Sequence, residues 1–307
     1  MNTATKLGVF ALGLALVFGA AYGAGHLTGP VTAAGTPAAG THGGHGTATN
    51  TPAAELPGGL LVSERGYTLS RVAAADSEFA FQITGPDGKA FTAFDVAHDK
   101  RLHLVVARRD LSGFRHVHPQ LGADGVWRVA VPFGEPGTYR AFADFKPTGA
   151  DPLVLGLDVD VPGAFAPVPL PEPTTSATID GYTVTMAGTV EPGRTSKLAL
   201  TVTRDGTPVT DLEPYLGSYG HLVALRAGDL AYLHVHPETG TAGPQISFFA
   251  EVPTAGAYRL YLDFQHGGVV RTAEFTVTAG QPPAAPTGLV SSNAATSPGP
   301  GPTGHGH

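Results

Sequence analysis

The sequence contains no cysteine. Disulfides, zinc–thiolate sites, iron–sulfur clusters and thiol nucleophiles are excluded with it, as is a lipid-modified cysteine. Thioether sulfur is nearly absent too. Met1 and Met186 are the only methionines, which argues against a methionine-rich Cu(I) site. A blue-copper centre needs a cysteine ligand and falls with the same observation. Charge is also scarce: 14% of residues are charged, with a net charge of −7. A nucleic-acid surface would show a basic patch or stripe, so no nucleic-acid partner is expected. The chain lacks G-x-S-x-G, H-E-x-x-H and P-loop patterns, and its acids read as turn or surface residues. No catalytic role is expected.

Glycine and proline are what the chain has in quantity, 42 and 27 of its 307 residues. Both break helices, and a helical bundle would not tolerate so many. The exception is the N-terminus. Lys6 precedes an uncharged run from Leu7 to Gly25, 19 residues, which is long enough to cross a bilayer as a helix. We expect residues 1–25 to be a single-pass membrane anchor with Lys6 on the cytoplasmic side and everything beyond it outside the cell membrane. A secreted product, cleaved within Ala20–Gly25, is the alternative. Residues 26–58 are low-complexity and read as a flexible linker, 163–175 as a Pro-rich hinge and 280–307 as a disordered tail.

Two blocks remain, 59–162 and 176–279, and they are copies. "GYTL" at 66–69 matches "GYTV" at 181–184. A spacing of 118 then aligns Asp87-Gly88 with Asp205-Gly206, His103 with His221, and Arg108 with Arg226. The same spacing aligns "HVHP" at 116–119 with "HVHP" at 234–237. After one inserted residue "GTYRAFADF" (137–145) matches "GAYRLYLDF" (256–264). Such a sustained spacing marks a duplicated domain. Each copy alternates apolar and polar residues with period two and places Asp-Gly turns between short runs, which predicts strands and hairpins. The expected fold is all-β: two tandem immunoglobulin-like or cupredoxin-like sandwiches, with Trp127 and the strand aromatics in their cores.

Six histidines occupy matched positions: His103, His116 and His118 in the first copy, His221, His234 and His236 in the second. On a strand, residues i and i+2 share a face, so each H-x-H presents two imidazoles together. A third imidazole from the preceding strand makes a three-histidine metal site in each copy, and imidazole ligands suit Cu(II) first and Zn(II) second. The alternative is a structural histidine network without metal. Asp144 and Asp263 also match, but each shares its face with an arginine, Arg140 or Arg259, and reads as half of a surface ion pair.

The anchor-like start, "RRDLSGFRHVHP" and "GHLVALRAGDLAYLHVHP" resemble uncharacterised actinobacterial secreted or membrane-anchored proteins with duplicated HVHP-containing domains, some of them labelled heavy-metal-binding. The resemblance implies an extracytoplasmic location and a link to copper or other heavy metals. Two functions are therefore expected. One is a membrane-tethered protein that binds or sequesters a transition metal through duplicated histidine clusters. The other is a cell-surface protein-interaction module with structural histidines.

Overall fold

The computed structural model describes residues 56–74, 78–233, 235–238 and 240–281. The predicted anchor, most of the linker, most of the tail and His234 lie outside the described residues, and the side chain of His236 is not described. Among the described residues no helix is long and apolar enough to cross a membrane.

The first copy builds Ser63–Glu64 (β1), Tyr67–Val72 (β2), Glu78–Thr84 (β3), Phe94–Asp95 (β4), Leu102–Arg108 (β5), Arg115–Val117 (β6), Gln120–Leu121 (β7), Val126–Ala130 (β8), Gly137–Pro147 (β9) and Leu153–Val161 (β10). The second builds Ser176–Ile179 (β11), Tyr182–Ala187 (β12), Thr195–Arg204 (β13), Thr207–Pro208 (β14), His221–Arg226 (β15), Tyr232–Leu233 (β16), Val235–Pro237 (β17), Gln245–Glu251 (β18), Gly256–His266 (β19) and Val269–Ala279 (β20). The first copy forms one sheet in the order β1-β2-β3-β8-β7 and another in the order β10-β9-β5-β6, with β4 against β9. The second copy repeats the plan as β11-β12-β13-β18-β17, with β14 on β13, and β16-β15-β19-β20. Each copy is a two-sheet antiparallel sandwich, and the chain is two such sandwiches in tandem.

Alternation explains the cores. In β3 and β8, Phe79, Phe81, Ile83 and Trp127 point inward to meet Leu102, Leu104 and Val106 of β5. The second copy buries Val184, Leu198, Leu200, Phe248, Leu260 and Phe264 in the equivalent space. Yet β5 is buried along its whole length. A strand buried on both faces must be covered on both. The outer face of β5 carries Val105 and Ala107, which pack with Phe142 against Val223, Leu225 and Tyr261 of the other copy. The sheets containing β5 and β15 therefore meet in a third hydrophobic core, a seam between the repeats. Two aromatic pairs cross it at equivalent positions: Phe114 stacks on Tyr261 with centroids 3.9 Å apart, and Tyr232 meets Phe142 at 5.5 Å.

Backbone from the N-terminal side closes the seam. Gly59 N–H donates to Val154 O (2.8 Å) and Gly156 N–H to Leu61 O (2.9 Å) on the β10 edge. On the other side Tyr232 N–H donates to Gly58 O (2.9 Å). The Arg140 guanidinium holds the same segment through Gly59 O and Leu60 O. A Cβ on Gly156 would run into Gly59 O and the Arg140 side chain. Gly156→Ala should therefore displace residues 58–61 and cost about 1–3 kcal/mol, the range for overpacking a tight site. A lower urea midpoint with an unchanged denaturant slope checks this.

Candidate metal centre

The histidines sit at the edge of this seam because of strand register. His103 is the second residue of β5 and His221 opens β15, each on the seam face of its strand. Val105 pairs with His116 across β5–β6, which puts His116 on the same face as His103. His103 lies opposite Asp144 on β9, and His221 opposite Asp263 on β19, so both aspartates share that face too. After Val117 the chain leaves one sheet for the other. Pro119 has no N–H to give a ladder, and β7 begins beyond it on β8. His118 lies at this crossing.

His103, His116 and His118 each offer one nitrogen, and the three atoms lie within 4.8 Å of one another. The His103 Nδ1 to His116 Nε2 distance is 3.2 Å. The remaining nitrogen of each of these two rings meets an acceptor. His103 Nε2 lies 3.1 Å from Ala97 O, and His116 Nδ1 lies 2.8 Å from Asp263 Oδ2. The Ala97 carbonyl is set by a tight turn, with Ala97 and Lys100 exchanging backbone hydrogen bonds while His98 and Asp99 take positive φ. Asp263 is held in turn by Thr272 Oγ1 at 2.5 Å.

A neutral imidazole carries a single N–H. Were both rings neutral, with His103 donating to the Ala97 carbonyl and His116 to the Asp263 carboxylate, the two facing nitrogens would both be lone pairs; in another tautomer one donates to the other. Neither His118 Nε2 nor His221 Nδ1 has a hydrogen-bond partner, and both are buried. Three ring nitrogens, from His103, His116 and His118, thus gather at one place, and the His221 ring packs beside them with its Nδ1 buried and unpartnered. A ligating histidine characteristically gives its other N–H to a carbonyl or carboxylate, the arrangement seen at His103 and His116. Desolvation, reinforced by neighbouring imidazoles, pushes His103 down to about 4, His118 to about 3 and His221 to about 2. These rings are neutral at physiological pH and ready to coordinate.

The two copies are not equivalent here. His221 joins the first copy's histidines, its ring centre 5.3 Å from that of His103 and 5.0 Å from that of His116. In the second copy β16 ends at Leu233, and Val235–Pro237 pairs with β18 of the opposite sheet. The backbone of His236 therefore belongs to a different sheet from His221, whereas His116 stays with His103.

The surface-pair reading of the aspartates is corrected. Arg140 binds Asp158 and backbone carbonyls, and Arg259 binds Glu274 and Thr276. Asp263 is 3% exposed and faces His116, while Asp144 accepts a hydrogen bond from Tyr232 Oη at 3.2 Å. Their arginine neighbours lie on the same face but point to other partners. The sequence reasoning also passed over His98. Its ring lies 5.2 Å from that of His221, and it lines a cavity of about 170 Å³ with His103, His221, Lys100 and Lys146. His98 has no counterpart in the second copy, so the repeat carried no signal for it.

The family described as "Domain of unknown function (DUF8832)" matches residues 65–161 and again 177–281. The chain belongs to this family. The two matched segments correspond to the two sandwiches. Among solved structures, domains 4 and 5 of the S-layer protein SbsC are 12% identical, covering 71% of this chain and 98% of that one, with a TM-score of 0.21. The Yersinia pseudotuberculosis adhesin InvE is 11% identical over 70% of this chain and 61% of its own, with a TM-score of 0.21. A titin fragment, A168169, is 10% identical over 74% and 97%, with a TM-score of 0.18. Likenesses this slight carry no argument about function. No curated protein matches the chain.

Proposed function

We propose that this protein is an exported, membrane-tethered binder of a transition-metal ion, Cu(II) before Zn(II), that sequesters or hands over the ion. The observation that carries the reading is the convergence of one nitrogen each from His103, His116 and His118, with outer hydrogen-bond partners at His103 and His116 that suit ligating imidazoles. Cu(II) ranks first because imidazole donors favour it and it stands highest in the affinity series. The Leu7–Gly25 run would hold the protein at the outer face of the membrane. The resemblance to proteins labelled heavy-metal-binding points the same way. Protein purified without a histidine tag should take up Cu(II) in a calorimetric titration. Replacing both His116 and His118 by alanine should weaken binding at least about 100-fold and leave the circular dichroism spectrum unchanged. Uptake by the double variant equal to the wild type would remove this reading.

A second reading is favoured by the His103–His116–Asp263 contacts themselves. They form a continuous polar chain across the seam and could serve as a structural joint in a cell-surface interaction module. Wild-type protein that takes up no metal, together with a double variant that unfolds, would establish that reading instead.

A further inference from the structure

We propose that the ion is shared between the repeats: His221 supplies a fourth imidazole, and metal binding clasps the two sandwiches together. This rests on the metal-binding reading above and adds to it a ligand, a stoichiometry and a mechanical consequence.

Ring spacing supports it first. With metal–nitrogen bonds of about 2.0–2.1 Å each imidazole centroid lies roughly 3.2 Å from the ion, so neighbouring centroids are about 5.2 Å apart in the tetrahedral geometry Zn(II) takes and about 4.5 Å (cis) or 6.4 Å (trans) in the square-planar geometry Cu(II) prefers. The centroid distances are 5.4 Å for His103–His116, 5.0 Å for His103–His118 and 5.0 Å for His116–His118. His221 extends the set, at 5.3 Å from His103 and 5.0 Å from His116. Three rings come from the first repeat and the fourth from the second.

Hydrogen bonding supports it next. The Nδ1 of His221 is buried and has no partner, on the seam face that carries the other three rings. The second repeat contributes to the first repeat's ligands as well, since Asp263 fixes the tautomer of His116 from β19. A buried carboxylate wants a positive charge nearby. Thr272 and His116 hydrogen-bond Asp263, and a dication bound through His116 would place positive charge beside this buried carboxylate.

Four imidazoles with no sulfur make a closed coordination set. A closed set retains an ion, whereas catalysis needs an open position. Because the ligands come from both sides of the seam, ion binding adds directly to the contact between the sandwiches and stabilises that docked state over any opened one.

The test uses the full chain, untagged, titrated with CuCl2 and separately with ZnCl2. The expected stoichiometry is one tightly held ion per chain. The Cu(II) electron paramagnetic resonance spectrum should show superhyperfine coupling to four nitrogens. His221→Ala should weaken binding at least about 10-fold, reduce the coupling to three nitrogens, and recover on adding free imidazole. Binding by the variant as tight as the wild type, or two equivalent ions per chain, overturns the clasp and leaves the metal reading standing. A wild-type protein that binds neither ion overturns the metal reading itself. If His221→Ala fails to fold, the wild-type nitrogen count decides alone: four supports the clasp and three overturns it.

Discussion

Replacing Phe114 by alanine should cost about 3–5 kcal/mol and separate the unfolding of the two repeats. The magnitude is that of truncating a large buried aromatic. Phe114 is 5% exposed and stacks on Tyr261 with an interplanar angle of 7°, so its removal opens a cavity in the middle of the seam. Tyr261 has little room to collapse into that space, because its hydroxyl is anchored to the Leu111 carbonyl at 2.5 Å. The single tryptophan makes the consequence readable. Trp127 lies in the core of the first sandwich, so its fluorescence follows that sandwich alone, while circular dichroism follows both. In the wild type the shared seam should make the two urea transitions coincide. In Phe114→Ala the fluorescence transition should fall to lower urea and part from the second sandwich. Coincident transitions with an unchanged midpoint would mean that the seam contributes little and that the sandwiches are coupled elsewhere.

Phe114 also shows how far the sequence could be read. Period-two alternation gives the strands and both inner cores. The spacing of 118 gives the duplication, and with it the tandem sandwich architecture. Those features are local or repeated, which makes them legible in one chain. The seam is neither. Its one signal is that "LHLVVAR" is apolar on both faces, with Val105 and Ala107 opposite Leu104 and Val106, which marks a strand covered twice. Without that inference the outer face of β9 and β19 looks solvated, and Asp144 and Asp263 look like surface residues. The site follows the same rule. His103, His116 and His118 are brought together by register within one copy, which strand periodicity can express. His221 approaches them through docking of the second copy, which no periodicity encodes. The different strand switches, after Val117 in one repeat and after Leu233 in the other, are likewise invisible in two identical HVHP motifs. Identical tetrapeptides can leave a sheet at different residues, because the neighbouring strands set the crossing point.

Acidification of the metal-free protein should destabilise it steeply between pH 6.5 and about 4. In the unfolded chain each histidine takes up a proton near 6.5. In the folded protein burial holds His103 neutral down to about 4 and His221 down to about 2. Between those values the unfolded state binds more protons than the folded one, so stability rises with pH and falls as pH is lowered. The contribution is therefore intact above pH 6.5 and is lost on the way down to pH 4. Each of these two rings should take away up to about 1.4 kcal/mol per pH unit in this window. His118, pushed down to about 3 but only half-buried, should add less because solvent screens its charge. From pH 6.5 to 5 the two rings together reach roughly 3 kcal/mol, a large fraction of the 5–15 kcal/mol that holds a typical domain folded. The measurement is the urea midpoint at half-unit steps of pH in the presence of a chelator, for the wild type and for His221→Asn. The wild-type midpoint should drop continuously below pH 6.5, and the variant should drop less steeply because one buried ring is gone. A midpoint that stays level from pH 7 to pH 5 would mean that the rings admit protons freely in the folded state. The cluster would then be open to water, and its nitrogens would not be the buried, unpartnered lone pairs on which metal binding depends.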